Sequence, residues 1–240
     1  MELNKTIALV TGANRGIGRT YAEHLARAGA PRVYAAARDL ASLASLQERF
    51  PAVVPLYLDV TDRDSIARAA ARAGDVNLLI NNAGILRVGG IAGRSSLDEA
   101  HEEMEVNYFG LLEVTRAFAP LLTANVPSAI INVLSILGLM GTPGAATYSA
   151  SKAAALSATR AIRAELAPKQ VRVVAVMPGY VDTEMTSFLQ VDKISPDDVV
   201  AATFAALASG DEEVYPGGLA TELARAFFTD HKALERQLAS

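Results

Sequence analysis

Six short apolar runs, each separated from the next by a stretch of helical character, set the limits on what this chain can fold into. They occupy residues 6–10, 32–37, 53–58, 76–80, 129–134 and 171–176, and most are apolar at consecutive positions. A strand wetted on one face alternates apolar and polar residues, whereas a strand covered on both faces reads as a continuous apolar run. Helical patterns at 21–28, 39–49, about 61–73, 97–123 and 147–167 fall between them. That order requires helices on both faces of a parallel sheet, and right-handed crossovers make the sheet doubly wound. A further short run at 214–218 reads as a seventh strand and its turn, followed by helical patterns at 219–228 and about 230–238. The expected fold is α/β: one doubly wound parallel sheet of about seven strands in a single domain, residues 1–240.

Composition narrows the function classes. The chain has 240 residues, 51% of them hydrophobic and 20% charged, enough to bury one large core. A net charge of −4 and a pI near 5.5 give no electrostatic footprint for nucleic acid or for an anionic membrane. With no cysteine, disulfides, thiolate metal ligands and thiol nucleophiles are excluded. Residues 117–151 carry no charge, but Asn125, Pro127, Asn132, Gly138, Gly141 and Pro143 interrupt the stretch, which suits a buried strand and its loop better than a membrane span. His24, His101 and His231 each stand alone, so no metal site is expected. The N-terminus lacks the layout of a signal peptide, and the expected location is cytoplasmic.

The first strand runs into Thr11, Gly12, Ala13, Asn14, Arg15, Gly16, Ile17 and Gly18, and a helix follows. Strand, glycine turn and helix form a phosphate cradle, because glycine lets the backbone approach a pyrophosphate and the helix N-terminus offers free N–H groups. This is the layout of a Rossmann-type dinucleotide site, although tight βα turns also use glycine for structural reasons alone. In such folds an acidic residue near the end of the second strand binds ribose hydroxyls, whereas arginine accommodates a 2′-phosphate. Here Ala37 is followed by Arg38 and Asp39. Arg38, assisted by Arg15, suits a phosphate through its guanidinium fork. The alternative is a solvated Arg38 beside an Asp39 that caps the next helix.

The fifth strand ends at a hydroxyl, Ser135. After a Gly- and Pro-marked loop come a phenol, Tyr148, and an amine, Lys152, four residues apart and so on one helix face. An unperturbed phenol has a pKa of about 10, and lowering it to roughly 7 takes about 4 kcal/mol of differential interaction. A neighbouring ammonium in a dry site acts in that direction. The arrangement suits proton transfer to or from an alcohol or carbonyl oxygen, with Ser135 bonding that oxygen. A capping serine and a surface Tyr/Lys pair would read the same in isolation.

Taken together, Thr11 and Gly12 with Gly16 and Gly18, Asp59, the run Asn81 to Gly84, Asn107, Ser135, Tyr148 with Lys152, and Pro178 and Gly179 with Thr183 resemble the classical short-chain dehydrogenase/reductase family along nearly the whole chain. The resemblance implies a tetrad of Asn107, Ser135, Tyr148 and Lys152. Tyr148 would act as acid/base, Ser135 would position the substrate oxygen, Lys152 would lower the phenol and hold the nicotinamide ribose, and Asn107 would anchor a water. It places Gly12, Asn14, Arg15, Gly16, Ile17 and Gly18 around the pyrophosphate and Asp59 and Val60 at the adenine. Asn82, Ala83 and Gly84 fall on the adenosine side. Pro178, Gly179, Val181 and Thr183 complete the site, the last two at the carboxamide. The position that carries Asp in NAD-users is Ala37 here, which agrees with NADP(H).

The implied activity is reversible reduction of a carbonyl compound to an alcohol. Leu86, Val88, Ile136, Leu137, Leu139, Met140, Met185, Phe188 and Leu189 are available for an apolar pocket, which favours an apolar ketone or aldehyde. Rival readings are a catalytically silent NADP-binding regulator and a sugar epimerase or dehydratase. The expected assembly is a homodimer through helices around 101–124 and 147–167, with a tetramer as the larger alternative. The tail beyond the seventh strand departs from the usual family ending and is placed to cover the pocket or an association surface.

Overall fold

The computed structural model describes residues 1–93 and 96–238. Its seven strands are β1 (Ile7–Thr11), β2 (Arg32–Ala37), β3 (Val53–Tyr57), β4 (Leu78–Asn81), β5 (Ser128–Val133), β6 (Val171–Val176) and β7 (Glu213–Val214). All pair in parallel in the order β3-β2-β1-β4-β5-β6-β7. The doubly wound sheet expected from the apolar runs is the fold observed.

Among the described residues, eight α-helices cover it: α1 (Gly16–Arg27), α2 (Ala44–Arg49), α3 (Arg63–Arg72), α4 (Asp98–Met104), α5 (Leu111–Ala124), α6 (Ala146–Leu166), α7 (Pro196–Ser209) and α8 (Gly218–Leu238). Alternate strand residues serve opposite faces, as the pleat dictates. Ala8, Val10, Leu78, Ile80, Ala129 and Ile131 join one core with Tyr21 and Leu25 of α1 and Val199 and Leu207 of α7. Leu9, Leu79 and Ile130 join the other with Ile66 of α3 and Val114, Phe118 and Leu122 of α5. Among the described residues no helix is long and apolar enough to cross a membrane.

Three features differ from the sequence expectation. The pattern at 97–123 is interrupted by a π-helical turn, Glu105–Gly110, between α4 and α5. Gly110 fits there against Val60, whose carbonyl oxygen a Cβ would approach to 3.1 Å. A whole helix, α7, fills the stretch after Ser195 that carried no assignment. Its start is a reciprocal cap, in which Ser195 accepts from the Asp198 amide and the Asp198 carboxylate accepts from the Ser195 amide. It packs on α1 through the Tyr21–Thr203 hydroxyl pair at 2.6 Å and through His24, whose Nε2 lies 2.7 Å from Asp197 Oδ1. Finally, α1 starts earlier than the pattern, so the second half of the glycine turn is its first turn.

The tail forms the two helices expected. α8 breaks at Asp230, which has an extended backbone (φ −154°, ψ 87°) and whose Oδ1 accepts from the Ala233 amide at 2.9 Å.

Gly18 lies at the closest approach of α1 to the sheet: a Cβ there would collide with the Gly12 carbonyl oxygen and the Asn82 carboxamide. Since backbone cannot yield as a side-chain tip does, Gly18→Ala is expected to cost about 1–3 kcal/mol or more. Thermal unfolding checks it, and an unchanged melting temperature would contradict this packing.

Candidate active site

The strand order reverses between β1 and β4, so the loops leaving their carboxyl ends part and open a crevice. A cleft of about 590 Å³ lies there. One end is lined by Gly12, Asn14, Arg15, Gly16, Ile17, Arg38, Asp59, Val60, Asn82, Ala83 and Gly84. Ser135, Tyr148 and Lys152 lie at its middle, with Pro178, Gly179, Val181 and Thr183 along the β6 side. Two residues expected at the site stand behind its wall instead: Gly18, packed into the βα turn, and Asn107.

The glycine-turn end is held by backbone and short side chains. Gly12 and Gly16 adopt positive φ (+65° and +52°), which glycine reaches without strain. Thr11 Oγ1 accepts from the amides of Asn82 (2.9 Å) and Ala83 (3.0 Å), and Asn82 Nδ2 donates to the carbonyl oxygens of Thr11 (3.0 Å) and Gly12 (3.2 Å). The β4 turn is thus stitched to the glycine turn. Beyond it the amides opening α1 meet the cleft at the positive end of the helix dipole. Arg38 is exposed at the end of β2 and has no side-chain partner among the described residues. Asp39 Oδ1 accepts from the Ala41 amide at 2.9 Å, so it caps the next turn while Arg38 stays available to a ligand. Arg15 pairs with Glu184 across the mouth of the cleft.

The central groups come from two elements. Ser135 follows β5, and its Oγ accepts from the Leu137 amide at 3.1 Å, capping a short turn at 136–138. That turn sits on α6, where a Cβ on Gly138 would come within 3.1 Å of the Lys152 carbonyl oxygen. Tyr148 and Lys152, one turn apart near the start of α6, are both buried. Lys152 Nζ donates to the Val133 carbonyl oxygen at 3.1 Å and lies 5.7 Å from the centre of the Tyr148 ring.

Electrostatics here differ from the sequence expectation of a phenol acidified by its neighbouring ammonium. Burial pushes Tyr148 up to about 12, opposed by the Ser135 hydroxyl and reinforced by the charge of Glu103. Burial also brings Lys152 down to about 8. The physical reason is that desolvation disfavours the charged form of each group. In the protein by itself Tyr148 is a protonated donor at neutral pH.

Asn107 sits in the π-helical turn, a local geometry common at functional sites. Its Oδ1 accepts from the Ile85 amide (2.9 Å), and Nδ2 donates to the Ile85 carbonyl oxygen (2.9 Å) and to Ser151 Oγ (3.0 Å). Both amide hydrogens go to protein atoms, so the side chain orders the loop after β4 and the start of α6. A Cβ on Gly84 would stand 3.1 Å from Asn107 Oδ1 and 3.5 Å from Lys152 Nζ, so the two side chains meet across this glycine.

The far end of the cleft is apolar. Leu86, Val88, Ile136, Leu137, Met140, Met185, Phe188 and Leu189 line it, whereas Leu139 turns inward to pack beside Leu134 and Met177. Leu219, Leu223 and Leu238 join the wall from α8, so the tail covers this pocket. Tyr180 and Glu103 were missed in the sequence, although Glu103 stands four residues before Asn107 and so on the same helix face. No cluster of three or more metal-ligating side chains occurs among the described residues.

Known proteins agree with this architecture. A crystal structure of a short chain dehydrogenase from Burkholderia cenocepacia J2315 in complex with NADP matches with TM-score 0.95 at 46% identity, covering 100% of each chain. The 1-deoxy-11-beta-hydroxypentalenate dehydrogenase of Streptomyces avermitilis is 37% identical over 228 residues, 87% of this chain and 83% of the relative. The D-erythrulose reductase of Gallus gallus is 35% identical over 179 residues, 74% of this chain and 72% of the relative. The family model described as short chain dehydrogenase matches residues 6–193, and the chain belongs to the short-chain dehydrogenase/reductase family.

Proposed function

We propose that the protein is an NADP(H)-dependent oxidoreductase that reversibly reduces an apolar ketone or aldehyde to its alcohol. The observation that carries this reading is the meeting of Ser135, Tyr148 and Lys152 between a phosphate cradle and an apolar wall. The cofactor is NADP(H): the free guanidinium of Arg38 stands where an adenosine 2′-phosphate is expected, and the relative from Burkholderia cenocepacia J2315 binds NADP. When bound, the cofactor supplies the hydride and the protein supplies orientation and a proton.

Each residue has a defined task. Ser135, its Oγ held in place by the Leu137 amide, stands beside the Tyr148 hydroxyl and offers its own hydroxyl to the substrate oxygen. The Tyr148 hydroxyl, protonated at neutral pH, donates the proton that completes the alcohol, and in the reverse direction the phenolate takes it back. Lys152 holds a donor at the cleft, fixed by the Val133 carbonyl oxygen. Leu86, Val88, Met185, Phe188 and the α8 leucines exclude water and select an apolar substituent. Assembly as a homodimer through the helices around 101–124 and 147–167 is part of the same proposal.

Tyr148→Phe removes the proton donor and keeps the ring. Turnover of NADPH with a panel of apolar ketones and aldehydes is expected to fall about 10²–10⁴-fold while NADPH affinity stays near wild type. A mutant that keeps most of its kcat would overturn the role. For the cofactor, wild type is expected to prefer NADPH to NADH in kcat/KM, and Arg38→Asp to lose about 10–100-fold with NADPH, as for one charge-assisted contact. Equal use of both by wild type would remove the phosphate argument.

Lys152→Met tests the cost of burying the amine. The folded pKa of Lys152 lies near 8, below its ordinary value of 10.5, so the unfolded chain holds this proton more tightly. The penalty is full below about pH 8 and fades as pH rises toward 10.5. Lys152→Met also leaves the Val133 carbonyl oxygen without its donor at every pH, so it is expected to be inactive and to have a melting temperature that, relative to wild type, is most favourable at pH 7 and falls as pH rises above 8. A melting-temperature difference that stays constant between pH 7 and pH 10 would contradict it.

A further inference from the structure

The chain leaving β4 runs extended past Gly84, and its alternate amides are pinned by three different groups. Ile85 donates to Asn107 Oδ1 at 2.9 Å, Arg87 to Glu103 Oε1 at 2.7 Å, and Gly89 to the Gly144 carbonyl oxygen at 2.8 Å. In an extended segment neighbouring side chains point to opposite sides. Leu86 and Val88 line the cleft together with Ile85, while Arg87 does not and turns to Glu102.

Glu103 is the unexpected member of this set. It has no solvent exposure, and its Oε2 has no hydrogen-bond partner among the described residues. Effective burial of a carboxylate costs several kcal/mol, and one amide bond to a charged group returns about 1.5–3 kcal/mol. A leucine or methionine would pack α4 at lower cost. What the carboxylate supplies instead is an acceptor one helical turn before Asn107, in register with the second amide of the loop.

We propose that Glu103 is a substrate-positioning residue: with Asn107 it forms a two-rung clamp that fixes residues 85–89 and presents Leu86 and Val88 as a preformed wall to the substrate. Preorganisation of this kind acts on substrate affinity, since the wall need not be ordered at the moment of binding. The nucleotide end of the cleft is stitched separately, through Thr11 and Asn82, so losing the clamp leaves it intact. The carboxylate charge also reaches Tyr148 and helps to keep its proton on.

The proposal rests on the reductase reading above, and its test keeps the two apart. Arg87→Pro deletes the N–H that Glu103 accepts, whereas Arg87→Ala retains it and loses the same side chain; proline also constrains φ at 87 and the backbone of Leu86, so the Glu103 variants, which leave that backbone unchanged, separate the bond from that constraint. Arg87→Pro is expected to raise the carbonyl KM about tenfold over Arg87→Ala, with the NADPH KM within about twofold and kcat changed less than KM. Glu103→Leu should reproduce the effect, and Glu103→Gln, which keeps an acceptor oxygen, should keep the carbonyl KM near wild type. Equal carbonyl KM values for the two Arg87 variants, or an equal rise in NADPH KM, would overturn the clamp. Should wild type turn over no carbonyl compound, the activity reading fails by itself. The clamp is then decided by amide hydrogen exchange: faster exchange at 85–89 in Glu103→Leu but not in Glu103→Gln supports it, and unchanged exchange in both overturns it.

Discussion

The structure depends on one topological constraint, the reversal of strand order beside β1. Because β1 lies between β2 and β4, the chain departs to opposite sides after Thr11 and after Asn81, and a crevice between diverging loops is unavoidable. Such a crevice leaves backbone groups without sheet partners, and unpaired buried groups are costly. Here they are satisfied by short side chains close at hand: Thr11 takes two amides and Asn82 caps two carbonyl oxygens. The same solution recurs one strand further along, where Lys152 caps the Val133 carbonyl oxygen at the end of β5. A group at the chemical centre is therefore also part of what closes the sheet.

That double use explains the electrostatics. An amine that caps a buried carbonyl oxygen must itself be buried, and burial weakens its hold on a proton. The phenol beside it is buried by the same packing and holds its proton more tightly. The protein thus arranges a neutral donor and a dry wall, and the Ser135 hydroxyl is the nearest group that opposes the rise. Desolvation, not the neighbouring ammonium, sets the direction of both shifts.

Much of this was legible in the sequence because it depends on local rules. Continuous apolar runs mark strands buried on both faces, glycines mark the turn at β1, and the four-residue spacing sets Tyr148 and Lys152 on one face of α6. What the letters did not show has a common cause, namely that the deciding partner is distant in the chain. α7 is nearly all apolar or small after Asp198, with little periodicity to read, although Ser195 and Asp198 carried its cap. The π-helical turn follows from the fit of Gly110 against Val60, fifty residues away. Leu139 looked equivalent to Leu137, but the short turn at 136–138 sends one to the cleft and the other to the core. The direction of the Tyr148 shift required burial to be weighed against a charge, and only packing decides that.

The division of labour along the chain follows from the same geometry. The nucleotide end is made of backbone and short side chains on the first strands and turns, where positive-φ glycines and stitched amides leave little freedom. The apolar end is made of side chains from elements that no sheet pairing fixes: the segment after β4, the stretch after β6, and α8. Leu238, in the last described turn, reaches the cleft only because the chain breaks at Asp230 and restarts under a local cap. A wall assembled this way can change its shape by substitution without disturbing the sheet, provided each segment has its own anchor. For the segment after β4 that anchor is a pair of polar side chains on one helix face. For α8 it is Ala220 and Ala224, packed with Ile136 directly after Ser135. The elements that shape the pocket are thus tied to the segment that carries Ser135, so the apolar wall and the Ser135–Tyr148–Lys152 cluster keep their relative positions.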